Sequence, residues 1–451
     1  MSPKSLLGVL LLSSVFPAGV SAQSANANAS QAAKTTKEAD SSLNWQDVFR
    51  PSGQVRLRPE FRRNLAQGVP AAPGPQPEDL SILLRTRLGL RATPTKHFGA
   101  FIQIQDSREF GEEATPAAGA PGDDEGLDLH QGYLEISDIA DAPWNLRAGR
   151  QEITFGSERL VGTANWANVG RSFDALLTSY DTDAFVGTAF ASMADKIEST
   201  SNDAQYFGGL YLTWKQFPGG VLDGYYFLLY DNNGATGPAA GTGQTHTVHT
   251  VGARVKAAFD NGIDVGAESV VQFGTFGSNS LLAFAEHVAL GYTFEPTWKP
   301  RLGVEYNYAT GDDSDSSKYT KFNILFPTPH AKWGVMDMVT WSNMHDASMG
   351  VSIKPNQFGL SIDYFIFFVD KPDSATDSFS TFAGTSGVDK LASHEFDIVG
   401  SWTPNPYFDL SAGWGHFFPG PYFKDRGMTT SSDFVYVQAQ AQFNSWSEQF
   451  I

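Results

Sequence analysis

From residue 45 to residue 443 the chain repeats one theme: eight to eleven residues alternate apolar and polar, and then a stretch rich in Gly, Pro, Asn and Asp intervenes. Alternation with period two belongs to a β-strand whose faces meet different surroundings. Leu84, Thr86, Leu88 and Leu90 share one side of their segment, and Arg85, Arg87, Gly89 and Arg91 share the other. Leu302, Val304, Tyr306 and Tyr308 likewise oppose Arg301, Gly303, Glu305 and Asn307, and Val251, Ala253, Val255 and Phe259 oppose Arg254 and Lys256. Near the end, Val435, Val437, Ala439, Ala441 and Phe443 oppose Gln438, Gln440 and Gln442. In a soluble sandwich the apolar side would face a core. Here the other side carries rows of Arg, Glu and Gln beside Gly, and Tyr, Trp and Phe gather near segment ends, which fits lipid outside and water inside. The expectation is an all-β fold: a transmembrane antiparallel barrel of up-and-down topology, with about 18 strands (16–18), wide enough for an aqueous channel.

Composition agrees with strands. Aromatic residues are 13%, glycines number 44 and charged residues are only 18%, an unusual mixture for a helical enzyme. A mean hydropathy of −0.24 suits a barrel, because alternating faces cancel in any window. No cysteine is present, so disulfides, thiolate metal sites and cysteine nucleophiles are excluded. Residues 1–22 read as a secretory signal peptide, with Lys4 before an apolar run and small residues at Val20 and Ala22. Residues 23–48 read as a disordered leader, 49–443 as the barrel and 444–451 as a C-terminal tail, which places the chain in the outer membrane after signal cleavage.

The formal net charge of −18 argues against a nucleic-acid binder. Thirteen of the sixteen arginines nevertheless lie between positions 50 and 171. A lumen for anions offers several cations of moderate strength, and guanidinium stays charged and matches a carboxylate with its planar fork. The candidates are Arg56, Arg58, Arg85, Arg87, Arg91, Arg150, Arg159, Arg171, Arg254 and Arg301. Glu135, Glu152, Asp174, Glu268, Glu305 and Asp363 are the acidic counter-residues expected to hold those forks. Each arginine has an alternative reading as a wall brace, since unpaired like charges on adjacent strands repel.

Other constellations carry less. The spacing of His246 and His249 does not place them on one strand face. Asp312, Asp313 and Asp315 are spaced loosely like a calcium loop without its terminal Glu, so no metal or cofactor is expected beyond weak loop-bound calcium. A membrane-embedded hydrolase would have to draw on His330, Asp337 and His345, and no spacing demands it, so a non-enzymatic role is expected.

Two stretches resemble the alginate-export family of outer-membrane barrels. The first carries Gly149, Arg150 and Gln151, then Gly156, Arg159, Leu160 and Gly162, then Trp166, Asn168, Arg171, Phe173 and Asp174. The second carries Gly311 and Asp312, then Leu325, Phe326, Pro327 and Thr328, then His330, Met336 and Asp337. The resemblance implies an eighteen-stranded monomeric barrel with an arginine-lined constriction that passes a polyuronate. The function so implied is passive export of an anionic, alginate-like exopolysaccharide; the alternative is a general or anion and sugar uptake porin on the same fold. Its partners would be outer-membrane lipid, the anionic polysaccharide or a small anion, and the barrel-assembly machinery. One departure is the C-terminus, where eight residues follow Phe443.

Overall fold

A computed structural model describes residues 48–66, 69–70, 78–111, 125–193, 205–232, 245–295, 297–313, 317–372, 389–427 and 429–444. Eighteen antiparallel strands close into one barrel. They are β1 Phe49–Arg63, β2 Glu78–Ala92, β3 Phe98–Phe110, β4 Glu125–Ile136, β5 Trp144–Gln151, β6 Phe173–Asp181, β7 Phe185–Met193, β8 Gln205–Trp214 and β9 Gly220–Asp231. The second half comprises β10 His246–Ala258, β11 Ile263–Phe276, β12 Asn279–Thr293, β13 Arg301–Ala309, β14 Met344–Ile353, β15 Phe358–Val369, β16 Leu391–Asn405, β17 Phe408–Pro419 and β18 Ser432–Asn444. Each strand pairs with its neighbours in sequence, and β1 closes the ring against β18 with Arg56 opposite Gln440. The last strand ends at Asn444, one residue beyond the expected boundary. The proposed signal peptide, all but the last residue of the leader, and the tail after Asn444 lie outside the described residues.

The connections sort by length. At one end they are short, such as 93–97, 182–184, 259–262 and 406–407; at the other they are mostly long, above all 152–172 and 310–343. Short periplasmic turns and longer extracellular loops are the rule for outer-membrane barrels, which makes the second end extracellular.

The alternation read from the sequence sets the faces. Leu88, Leu90, Leu302, Val304, Val435 and Val437 are exposed on the outside, where lipid covers them, while Arg85, Arg87, Arg91, Arg301, Glu305 and Gln438 are buried within. His246 and His249 fall on opposite faces, the first inside and the second hydrogen-bonded to Tyr226 on the outside.

The interior departs from a simple wet tube. The inner faces of β6–β10 carry buried Phe173, Phe190, Phe207, Tyr211, Phe227 and Val248. These side chains pack against apolar residues of the two longest loops, including Phe155, Leu160 and Phe326. Both loops therefore fold inward, and the lumen is not polar all round, because one arc of the wall serves as the apolar seat for the loops.

Candidate functional site

The loop of residues 152–172 leaves β5 beside a local irregularity in β4. The register of β3 against β4 shifts between Gln103 and Ile104, so the consecutive residues His130 and Gln131 are both buried instead of alternating. Both hold Glu152, the first loop residue: His130 Nε2 lies 2.8 Å from Glu152 Oε1, and the Glu152 amide donates to Gln131 Oε1 at 3.1 Å. Arg87 donates to the same carboxylate at 3.2 Å. Burial opposes ionisation of Glu152, but the His130 hydrogen bond and the Arg87 charge outweigh it and hold the carboxyl down to about 2.

The loop then touches the far wall. Phe155 stacks on Tyr211 at 4.7 Å between ring centroids, Ser157 donates to Glu268, and Arg159 donates to Glu305 at 2.6 Å. Residues 158–162 run beside residues 326–328 of the second loop. The Gly162 amide donates to Phe326 O at 2.8 Å, Phe326 N to Leu160 O at 2.9 Å, and Thr328 N to Glu158 O at 2.9 Å. Gly162 permits this approach, since a Cβ there would collide with Thr328 Oγ1 and the Glu158 carboxylate. Arg171 ties the loops again, donating to Gly162 O at 3.1 Å and Pro327 O at 2.7 Å.

The loop tip, residues 165–168, lies on the arginine-rich wall. Arg56 of β1 and Arg85 of β2 are direct cross-strand partners, an arrangement in which like charges repel. Two main-chain oxygens sit between them. Asn165 O accepts from Arg56 at 2.6 Å and from Arg85 at 3.0 Å; Ala167 O accepts from the same two at 3.1 and 3.2 Å. Arg58 donates to Trp166 O at 2.7 Å and lies 3.7 Å over the Trp166 ring, which itself stacks on His330 at 3.5 Å. A cation, an indole and an imidazole thus form one column that joins wall, first loop and second loop.

The second loop is held by buried carboxyl groups of the wall. Asp397 and Glu395 of β16 accept from the main-chain amides of Val335 at 2.9 Å and Met336 at 3.0 Å. Guanidinium groups of β1 and β2 grip loop carbonyls, and carboxyl groups of β16, three strands from β1 around the ring, grip loop amides.

The expected site residues face the interior except Arg150 and Asp174. These two alternate with the inward Gln151 and Phe173 and so lie on the outer face with Leu176, a correction to their assignment to the lumen. The partners of the others differ in part from expectation. Arg91 pairs with Glu135, Arg87 with Glu152, Arg150 with Asp174 through two bonds of 2.8 Å, and Arg159 with Glu305. Arg254 instead pairs with Asp223, Arg301 with Asp264 at 2.5 Å, and Arg58 with Glu60 at 2.6 Å, three acids the sequence reading missed. Glu268 accepts from Tyr225 at 2.7 Å and from Ser157, not from an arginine. Asp363 is a correction of another kind. It lies directly across from Asp397 and beside Gly350, so no arginine stands opposite it on either neighbouring strand. Eight of the ten arginines are buried to less than a tenth of their surface, leaving Arg150 and Arg171 as the more accessible members.

His330 and Asp337 meet at 2.7 Å inside the second loop, whereas His345 faces outward against Tyr306 at 2.7 Å, so the three hydrolase candidates do not converge. Asp312 accepts from Thr320 N at 3.3 Å, Asp315 lies outside the described residues, and no group of three His, Asp or Glu with metal-binding geometry occurs among the described residues.

A closed eighteen-strand barrel with two inward loops carrying both sequence motifs invites comparison with known families. The family model described as "Alginate export" matches residues 51–437, nearly the whole barrel. The chain belongs to the alginate export family. Solved structures share the fold at low identity. Pseudomonas aeruginosa OccK8 (OprE) is similar with a TM-score of 0.57 at 10% identity, over 89% of this chain and 99% of that one. Acinetobacter baumannii OccAB1 gives 0.56 at 11% identity, over 88% and 97%. Pseudomonas aeruginosa OccK11 (OpdR) gives 0.53 at 10% identity, over 89% and 97%. No curated protein matches the chain. Family and fold together identify an outer-membrane channel of the alginate export family and point away from an enzyme.

Proposed function

We propose that this alginate export family channel passes an anionic exopolysaccharide of polyuronate type, passively and by way of the arginine wall beneath the loop tip. One observation carries the reading: Arg56 and Arg85 stand directly opposed and share two neutral carbonyl oxygens. Every hydrogen bond of Arg85 goes to a neutral oxygen, on Gln54, Asn165 or Ala167. Arg85 therefore keeps positive charge that ion pairing cancels elsewhere in the wall. Both oxygens are acceptors for donors that a carboxylate also engages. A uronate carboxylate competes for that position with the added advantage of charge, and a column of such contacts suits a polymer that must be held weakly at many points.

The test is planar-bilayer conductance of the refolded chain, with reversal potentials in a salt gradient and oligouronates added to either side. Anion-selective current that oligouronates interrupt, weakened in Arg56→Gln plus Arg85→Gln, supports the proposal. Anion selectivity without oligouronate block supports the uptake-porin alternative, and cation selectivity overturns the anionic reading.

A further inference from the structure

The arginines of the inner wall are largely spoken for by carboxylates or loop carbonyls, which raises the question of which cations a passing solute meets first. The strand registers answer it. Arg254 of β10 stands between Asp223 of β9 and Glu268 of β11, whereas Lys256, two residues nearer the periplasmic end, stands between Val221 and Gly266. Lys256 is exposed, and its ammonium has no ion-pair or hydrogen-bond partner among the described residues. Lys332 of the second loop is partly exposed and equally unpartnered among them. Arg159 acts on both lysines as a like charge. In a ring of eighteen strands β10 is diametrically opposite β1, the strand that carries Arg56.

We infer that Lys256 and Lys332 are the specificity-determining contacts for anions entering from the periplasmic side, forming a second cationic face across the lumen from Arg56 and Arg85. Lysine suits this place. A compact, hydrated ammonium on a flexible stem attracts a carboxylate without the two-bond grip that would stall it. Lys256 meets the solute near the periplasmic mouth, and Lys332 meets it at the loops. The inference rests on the anionic-solute reading above, and its test separates the two.

The experiment compares wild type with Lys256→Gln, Lys332→Gln, the double variant and the matching Lys→Arg variants, each checked for heat-modifiable barrel migration on gels. Two readouts are taken: the anion-to-cation permeability ratio, and acylation of each lysine by a small amine-reactive reagent, followed by mass spectrometry with and without oligouronate. The expected result is a loss of about threefold in the ratio per charge removed, the Coulomb effect of one unit charge at several ångströms in water. Retention in the arginine variants, and slowing of labelling at Lys256 and Lys332 by oligouronate, complete the expected pattern. If wild type is anion-selective and Arg56→Gln lowers the ratio but the double lysine variant does not, the inference fails and the functional proposal stands. If wild type is not anion-selective, both fail.

Discussion

Replacing Arg85 by Gln tests how firmly the loop tip is clamped. Arg85 gives the tip two hydrogen bonds, to Asn165 O at 3.0 Å and Ala167 O at 3.2 Å. Bonds from an ionised donor contribute roughly 1.5–3 kcal/mol each, and at these lengths the lower figure applies, so the pair holds the tip by about 3 kcal/mol. Removing one of two directly opposed cations relieves repulsion and returns about 1 kcal/mol. The net loss of about 2 kcal/mol raises the undocked fraction of the tip by about thirtyfold. Hydrogen exchange on the chain in lipid nanodiscs reads this directly. The amides of Ala167, bonded to Ala164 O at 3.0 Å, and Arg171, bonded to Thr163 O at 2.7 Å, report on the tip. Their exchange should quicken by about that factor while strand amides of β6–β10 keep their protection. Equal exchange in both proteins would refute the clamp, and slower exchange would mean that Arg85 strains the tip.

Trp166→Ala removes the ring held between Arg58 at 3.7 Å and His330 at 3.5 Å and should cost loop docking about 2 kcal/mol; single-channel records should then flicker between two levels, and a quiet trace at the wild-type level would contradict the joint. Gly162→Ala drives a methyl into Thr328 and Glu158, which costs about 1–3 kcal/mol. The barrel should still migrate as folded on gels, but with raised conductance, and unchanged conductance would show that the two loops do not restrict the path there. Lys332 supplies a pH test: burial, with Arg159 nearby, lowers its pKa to about 8 against the opposing pull of Glu158, Glu305 and Glu268. A lowered lysine is charged below that value and neutral above it, and arginine and glutamate do not ordinarily titrate in this range. Anion preference should therefore fall more steeply between pH 7 and 9 in wild type than in Lys332→Arg; matching slopes in the two would remove Lys332 from the path.

The barrel was legible because period two is written residue by residue. Arg85, Arg87 and Arg91 against Leu88 and Leu90 define a face without any knowledge of neighbouring strands. Partners are a property of register, which no single strand contains. Arg254 meets Asp223 because β9 and β10 pair with those two residues opposite, and a shift by one would have sent Asp223 to lipid. The inward fold of the two loops has a signature in the sequence. Phe155, Leu160, Val161, Phe322, Phe326, Trp333 and Trp341 are too many large apolar side chains for segments standing in water, and all except the half-buried Phe326 are buried. Their density predicts a seat, and apolar inner positions of the wall provide it, on β6–β10 for Phe155 and Phe326 and beside Tyr308 of β13 for Trp341. Asp363 was misassigned for the opposite reason: an inward carboxylate looks like an arginine partner until its neighbours prove to be Gly350 and Asp397.

The two clamps differ in a way that bears on passage. On the acidic side, Asp397 and Glu395 hold loop amides, and a polyanion has nothing to offer in exchange, because a carboxylate cannot donate. On the basic side, Arg56, Arg58 and Arg85 hold loop carbonyls, and a carboxylate is a stronger acceptor for the same donors. On the proposed reading, an anionic polymer therefore displaces the tip at residues 165–168 and leaves the second loop seated on β16. The asymmetry follows from which partner each wall charge holds. A solute of neutral sugars lacks the exchange on both sides, so it must pass with both loops docked through whatever width they leave.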